Sequence, residues 1–134
     1  MNGKFNISAG LLTMGLFMFY GFLLVYLRDF APGKEDWIAS YSTGKHFESR
    51  LAHVHGTLFS ILNIVIGYLL IQFNAKIKNV KIVSWLALGG LLMPLGILGE
   101  VYLGLSPVFV FLGALSMTFS VFMLGFSFIK LKNE

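Results

Sequence analysis

Few residues in this chain could do chemistry: His53, His55 and Glu100, with Arg50 and Asp29 near them. Each is an ionisable group within or at the edge of a long apolar run. Such groups in a membrane span are functional candidates by default. An imidazole facing a carboxylate can hold or pass a proton, and both groups are metal ligands. Two of the three histidines lie in the stretch Arg-Leu-Ala-His-Val-His-Gly-Thr-Leu-Phe-Ser-Ile-Leu-Asn-Ile-Val-Ile-Gly, from Arg50 to Gly67. Wound as a helix at about 100° per residue, it places His46, Arg50, His53, Thr57, Ser60 and Gly67 on one face. Leu51, Leu58, Phe59, Leu62, Ile66 and Leu69 fall on the other. The small, polar face should meet other helices, because polar groups facing hydrocarbon are costly. Asn63 sits at the flank of that face, near mid-membrane, and needs an amide partner.

Composition says what kind of elements must hold these groups. The chain has 134 residues, enough for one domain. Hydrophobic residues are 57% and charged residues 12%, whereas a soluble domain carries about a quarter charged. The charges sit in short segments between four long apolar runs, which is the membrane pattern. The net charge of +4 comes from lysines near helix ends and reads as a topology signal, not as nucleic-acid binding. There is no cysteine, which excludes disulfides and thiolate metal sites.

The fold expected is all-α, a polytopic membrane protein forming a bundle of four transmembrane helices. They span about 7–27, 46–73, 82–103 and 107–129, each long enough for a hydrocarbon core of about 30 Å. The first run is too long for a signal-peptide core and ends in Tyr26-Leu27-Arg28-Asp29 without a small-x-small cleavage site, so it is read as a retained helix. The connection 28–45 is the longest. Within it Lys34 to Tyr41 can form a short helix with Trp37, Ile38 and Tyr41 on one side. Those rings either lie at headgroup level or pack on the bundle. In the third helix Pro94 lacks the N–H that would bond the carbonyl of Gly90, so a kink is expected. Ser106-Pro107 opens the fourth. Gly56 with Ser60, and Ser116 with Ser120, are small-xxx-small pairs suited to close helix contacts. Gly89 and Gly96 share a face with Glu100 on the third helix, and that face is expected to admit the second helix closely.

Lysine and arginine placement sets the orientation. Lys4, Lys76, Lys78, Lys81, Lys130 and Lys132 fall on one side, and Arg28, Lys34, Lys45 and Arg50 on the other. The positive-inside rule then puts both termini in the cytoplasm and the long connection outside, in a bacterial inner membrane. At about 1.5 Å per residue His53 and Glu100 reach similar depths at the outer edge of the core. They are expected to pair, with Arg50 and Asp29 near by. His-x-His on a helix points its two rings about 200° apart. His53, His55 and Glu100 could therefore share a metal ion only if the helix start were unwound. A haem between two histidine-bearing helices of one chain is excluded, since all three histidines lie between 46 and 55.

The segment Ala52-His53-Val54-His55-Gly56 resembles the His-x-His opening of the second helix in uncharacterised small four-helix bacterial membrane proteins, and more distantly helix openings of haem-copper-oxidase-like families. The resemblance covers about 20 residues and departs from oxidase cores in having no histidines on other helices. It implies haem or a metal ion as a cofactor.

Three readings follow. One is a binding or accessory subunit without catalytic activity, built around an outward-facing His/Glu polar site. The second is a haem- or metal-binding membrane redox component. The third is a proton-coupled small carrier working as a dimer. The partners are the lipid bilayer and either a homo-oligomer or a larger membrane complex. The topology is testable directly, because single cysteines report cleanly in a cysteine-free chain. An impermeant thiol reagent on intact cells should label Ser42→Cys and leave Asn79→Cys unlabelled; the reverse pattern would invert the orientation.

Overall fold

A computed structural model of the chain describes residues 3–131. Lys132, counted above for orientation, lies outside the described residues. Six helices form: α1 (Lys4–Asp29), α2 (Lys34–Ala39), α3 (Lys45–Gln72), α4 (Val80–Gly90), α5 (Leu92–Leu103) and α6 (Val108–Ile129). With α4 and α5 taken as one rod, four helices are long and apolar enough to cross a membrane. The chain is an all-α bundle and a multi-pass membrane protein. Large apolar side chains such as Leu12, Phe19, Leu95, Phe111 and Phe122 stand exposed along it. Such a surface suits hydrocarbon as its solvent.

Spatial order follows chain order: α1 packs along α3, α3 against α4 and α5, and these against α6. Among the described residues α1 and α6 are not packed together. The α1–α3 pair is antiparallel, and its seam on α1 reads Gly3, Asn6, Gly10, Thr13, Phe17, Tyr20, Leu24. Steps of three and four alternate, the spacing that keeps one stripe turned toward a neighbouring helix in a left-handed supercoil. On α3 the matching residues are His53, Gly56, Ser60, Asn63 and Gly67. Small residues bring the backbones together. A Cβ at Gly10 would lie 2.6 Å from the Ser60 carbonyl oxygen, and one at Gly56 would lie 2.4 Å from the Phe17 ring. Thr13 and Ser60 hydroxyls meet at 2.8 Å across the same seam.

The buried polar core lies toward the terminal end of the bundle, the end that holds Gly3, the α3–α4 connection and the end of α6. Asn6, Asn63 and Ser84 are fully buried. The Asn6 amide donates to Asn63 Oδ1 at 3.1 Å and to the Ser84 carbonyl at 2.9 Å. The Ser84 hydroxyl donates to Asn6 Oδ1. Asn63 Nδ2 donates to the carbonyls of Phe59 at 3.0 Å and Ala87 at 2.8 Å. Asn63 thus finds the amide partner it requires. That partner is a residue the apolar pattern assigns to a polar lead-in, because α1 starts at Lys4, one turn before the apolar run does.

The third membrane helix is interrupted at Leu91, between α4 and α5, as Pro94 demands. α6 seats itself on the break: a Cβ at Gly113 would lie 2.1 Å from Met93 N. Ser116 and Ser120 donate to the carbonyls of Leu86 and Val83 at 2.7 and 2.9 Å. The expectation that Gly89 and Gly96 admit the second helix is corrected here. A Cβ at Gly89 would meet Ser116 Oγ at 2.5 Å, and one at Gly96 would meet Val110 N at 2.9 Å, both on α6. The physical reason is the row-like order of the helices. The third helix has a neighbour on each side, and its small residues serve the fourth.

Glycines of one helix should differ sharply in tolerance. Leucine at Gly10 must force α1 from α3, at an overpacking cost of about 1–3 kcal/mol. Leucine at Gly15, which has nothing within 4 Å, should be neutral or stabilising. Thermal melts of the two variants in detergent check this. Asn63→Ala should destabilise by about 1–2 kcal/mol, since it also strips Asn6 of a partner.

Candidate functional site

At the opposite end, where the long connection runs, the ionisable residues separate into two groups. α3 is helical without interruption from Lys45, so His53 and His55 point apart. His55 Nδ1 lies 2.9 Å from the Leu51 carbonyl of its own helix, and its ring meets Phe59 edge-on at 6.1 Å. His53 instead turns to α1. A Cβ at Gly21 would lie 2.8 Å from His53 Cε1, and the Tyr20 ring stands 6.4 Å away. Gly21 is the seat that lets this imidazole lie between the helices.

Glu100 does not join them. It is exposed on α5, and its carboxylate makes no hydrogen bond or ion pair with any described residue. The expected His53–Glu100 pair is therefore corrected. Depth counting places both groups at one level, but His53 faces α1 and the Glu100 side chain leaves the bundle. The position reached from that side belongs to Tyr102. Its hydroxyl lies 2.8 Å from Ser49 Oγ and 3.3 Å from Tyr20 Oη, and this closes α5 onto α3 and α1. The grouping of His53, His55 and Glu100 as metal or haem ligands is not assembled for the same reasons. Among the described residues no three His, Asp or Glu side chains are placed to hold a metal ion together.

What gathers round His53 is cationic and aromatic. A cavity of about 360 Å³ is lined by Gly21, Leu24, Val25, Arg28, Tyr41, His46, Arg50 and His53. Arg50 lies over the Tyr41 ring, 3.9 Å from guanidinium carbon to centroid, a cation–π contact. Asp29, expected near Arg50, is instead held by its neighbour Arg28 through two bonds of 2.9 and 2.8 Å. It is not a lining residue. His46 is buried, stacked on Trp37 at 4.7 Å and edge-on to Tyr41 at 5.2 Å. Its Nδ1 lies 2.9 Å from the Trp37 carbonyl. These contacts dock α2 on the start of α3, so the Trp37 ring packs on the bundle. His53 Nδ1 is buried without a hydrogen-bond partner among the described residues.

Gly21, Tyr41 and Arg28 are absent from the sequence-based site, and His46 enters that reading only as one residue of the polar face. Tyr41 belongs to the connection, whose path no periodicity reveals, and Arg28 to the last turn of α1, which continues past the apolar run. Gly21 carries no chemistry of its own, though it follows Tyr20 on the α1 seam and was legible as a close-approach position. No protein-family model, curated protein or solved structure matches the chain. The site is therefore read from its own geometry.

Double-mutant cycles separate the two arrangements. His53→Ala and Glu100→Gln should be additive within about 0.3–0.5 kcal/mol, as for residues that share no partner. Gly21→Ala should destabilise the parent by about 1–3 kcal/mol and much less in a His53→Ala background, because the added methyl collides only with the imidazole. Detergent unfolding of the single and double variants measures both couplings.

Proposed function

We propose that the protein is a small multi-pass binding or accessory subunit of a bacterial inner membrane, with both termini cytoplasmic. Its binding site is the cavity between α1, α3 and the α1–α3 connection, facing outward. The observation that carries this is convergence: Arg28, Arg50, His46 and His53 line one space, and no carboxylate lines it. Arg28 shares its charge with Asp29, but Arg50 meets no carboxylate among the described residues, and an anion would answer its charge. Among the described residues Arg50 is committed only to the Tyr41 ring and a marginal 3.5 Å bond to the Tyr41 carbonyl. Most of its donor fork is left for a carboxylate or phosphate, the groups it matches best. His53 keeps an uncommitted ring nitrogen on the same wall. Leu24 and Val25 supply an apolar floor. The ligand class is thus an anionic head on an apolar body, entering from the membrane interface.

The row-like arrangement of helices, with α1 and α6 not packed together, leaves broad faces for the bilayer and for further copies or subunits of a complex. Binding is tested with the detergent-solubilised protein by titrating a short-chain alkyl phosphate and, separately, an alkyl trimethylammonium of equal length. Intrinsic fluorescence of Trp37, beside the cavity, is the readout. The phosphate should bind and the cation should not. Arg50→Gln should weaken binding at least about tenfold, the loss expected for a hydrogen bond to a charged group. Equal binding of both probes, or an unaffected Arg50→Gln variant, would refute the reading.

A further inference from the structure

The terminal end of the bundle carries a second cavity, of about 390 Å³, lined by Lys76, Lys78, Asn79, Met123, Phe126, Ser127 and Lys130. It lies between the α3–α4 connection and the last turns of α6. Its polar side brings Lys78 and Lys130, from two separate elements, to one space, and among the described residues no acidic side chain lines it. Asn79, in the left-handed region at φ 61°, starts α4 without a side-chain capping bond, so its amide is free to face a ligand. The other side is apolar. Phe126 is more than half exposed and stacks on Phe122, also exposed, at 6.3 Å and 23°. The pair makes an aromatic strip running from the cavity along the lipid-facing side of α6.

A topology signal needs lysines on this side of the membrane but does not require them to meet in one space. Here Lys130 comes from the end of α6 and meets the connection lysines above a strip that leads into hydrocarbon. We infer that this cavity holds the headgroup of an anionic phospholipid, with its phosphate against Lys78, Lys130 and Asn79 and an acyl chain along Phe126 and Phe122. Charge complementarity selects an anionic head. Continuity of the cavity with a bilayer-facing apolar strip selects a lipid over a free anion. A zwitterionic lipid carries its own ammonium toward the lysines and loses the attraction.

The test uses the full chain in detergent and counts retained lipid by native mass spectrometry during titration with phosphatidylglycerol or phosphatidylcholine. Phosphatidylglycerol should bind preferentially. Lys78→Gln with Lys130→Gln should weaken that binding by at least about tenfold, from roughly fivefold per lysine near an anionic headgroup. Lys34→Gln with Lys45→Gln, the same charge change at the other end, should leave it intact. Arg50→Gln should also leave it intact, which keeps this site distinguishable from the arginine cavity. Unchanged binding in the Lys78/Lys130 variant overturns the inference, as does equal binding of both lipids. Displacement of the lipid by inorganic phosphate at matched concentration would show a free-anion site and overturn the lipid as occupant.

Discussion

Everything else in this bundle depends on a hydrogen-bonded cluster of three side chains, Asn6, Asn63 and Ser84, fully buried where α1, α3 and α4 meet. Apolar faces of membrane helices gain little by choosing one another over lipid. Polar groups with directional bonds do choose, because the alternative is an unsatisfied donor in a dry medium. Asn6 has one productive position along α3, and sliding α1 by a turn would strand its amide and leave Asn63 Oδ1 without its donor. The cluster therefore sets the register of the α1–α3 seam. The close glycine and hydroxyl contacts above it follow in step, up to Gly21 beneath His53.

That register links the two ends of the molecule. The imidazole of His53 lies against α1 only because Gly21 arrives at its level, some four turns from Asn6. With His53 turned to α1, the space beside it is bounded by Arg28 of α1, Tyr41 of the connection, and His46 and Arg50 of α3 itself. A carboxylate at the same depth on α5 is left on the outside. The electrostatic character of the site, cationic instead of a neutral imidazole–carboxylate pair, is thus a consequence of helix register.

The proline break in the third membrane helix plays the corresponding part on the other side. Splitting the rod at Leu91 exposes backbone that α6 approaches through Gly113. Ser116 and Ser120 then add bonds to α4 carbonyls already used within the helix. Hydroxyls are well suited to this, since a carbonyl has two lone pairs and the serine needs only one of them. Gly89, Gly90 and Gly96 of α4 and α5 are used in that contact.

Run length, charge segregation and the proline were enough to establish four membrane helices, the break in the third and the helix starts to within a turn, because these are local properties of the chain in a solvent of known thickness. The facing of α3 was legible in part: Ser60, Gly56 and Asn63 do meet another helix, since small and polar residues must, but Phe59 and Ile66 of the opposite face are buried in the core as well. What the sequence could not decide is which neighbour each face meets. Gly96 and Gly89 serve α6 where α3 was expected, and Glu100 and His53 share a depth without sharing an interface. Depth is fixed by rise per residue along one helix. Azimuth between helices is decided only when all of them pack, and here a buried amide near the far end sets it.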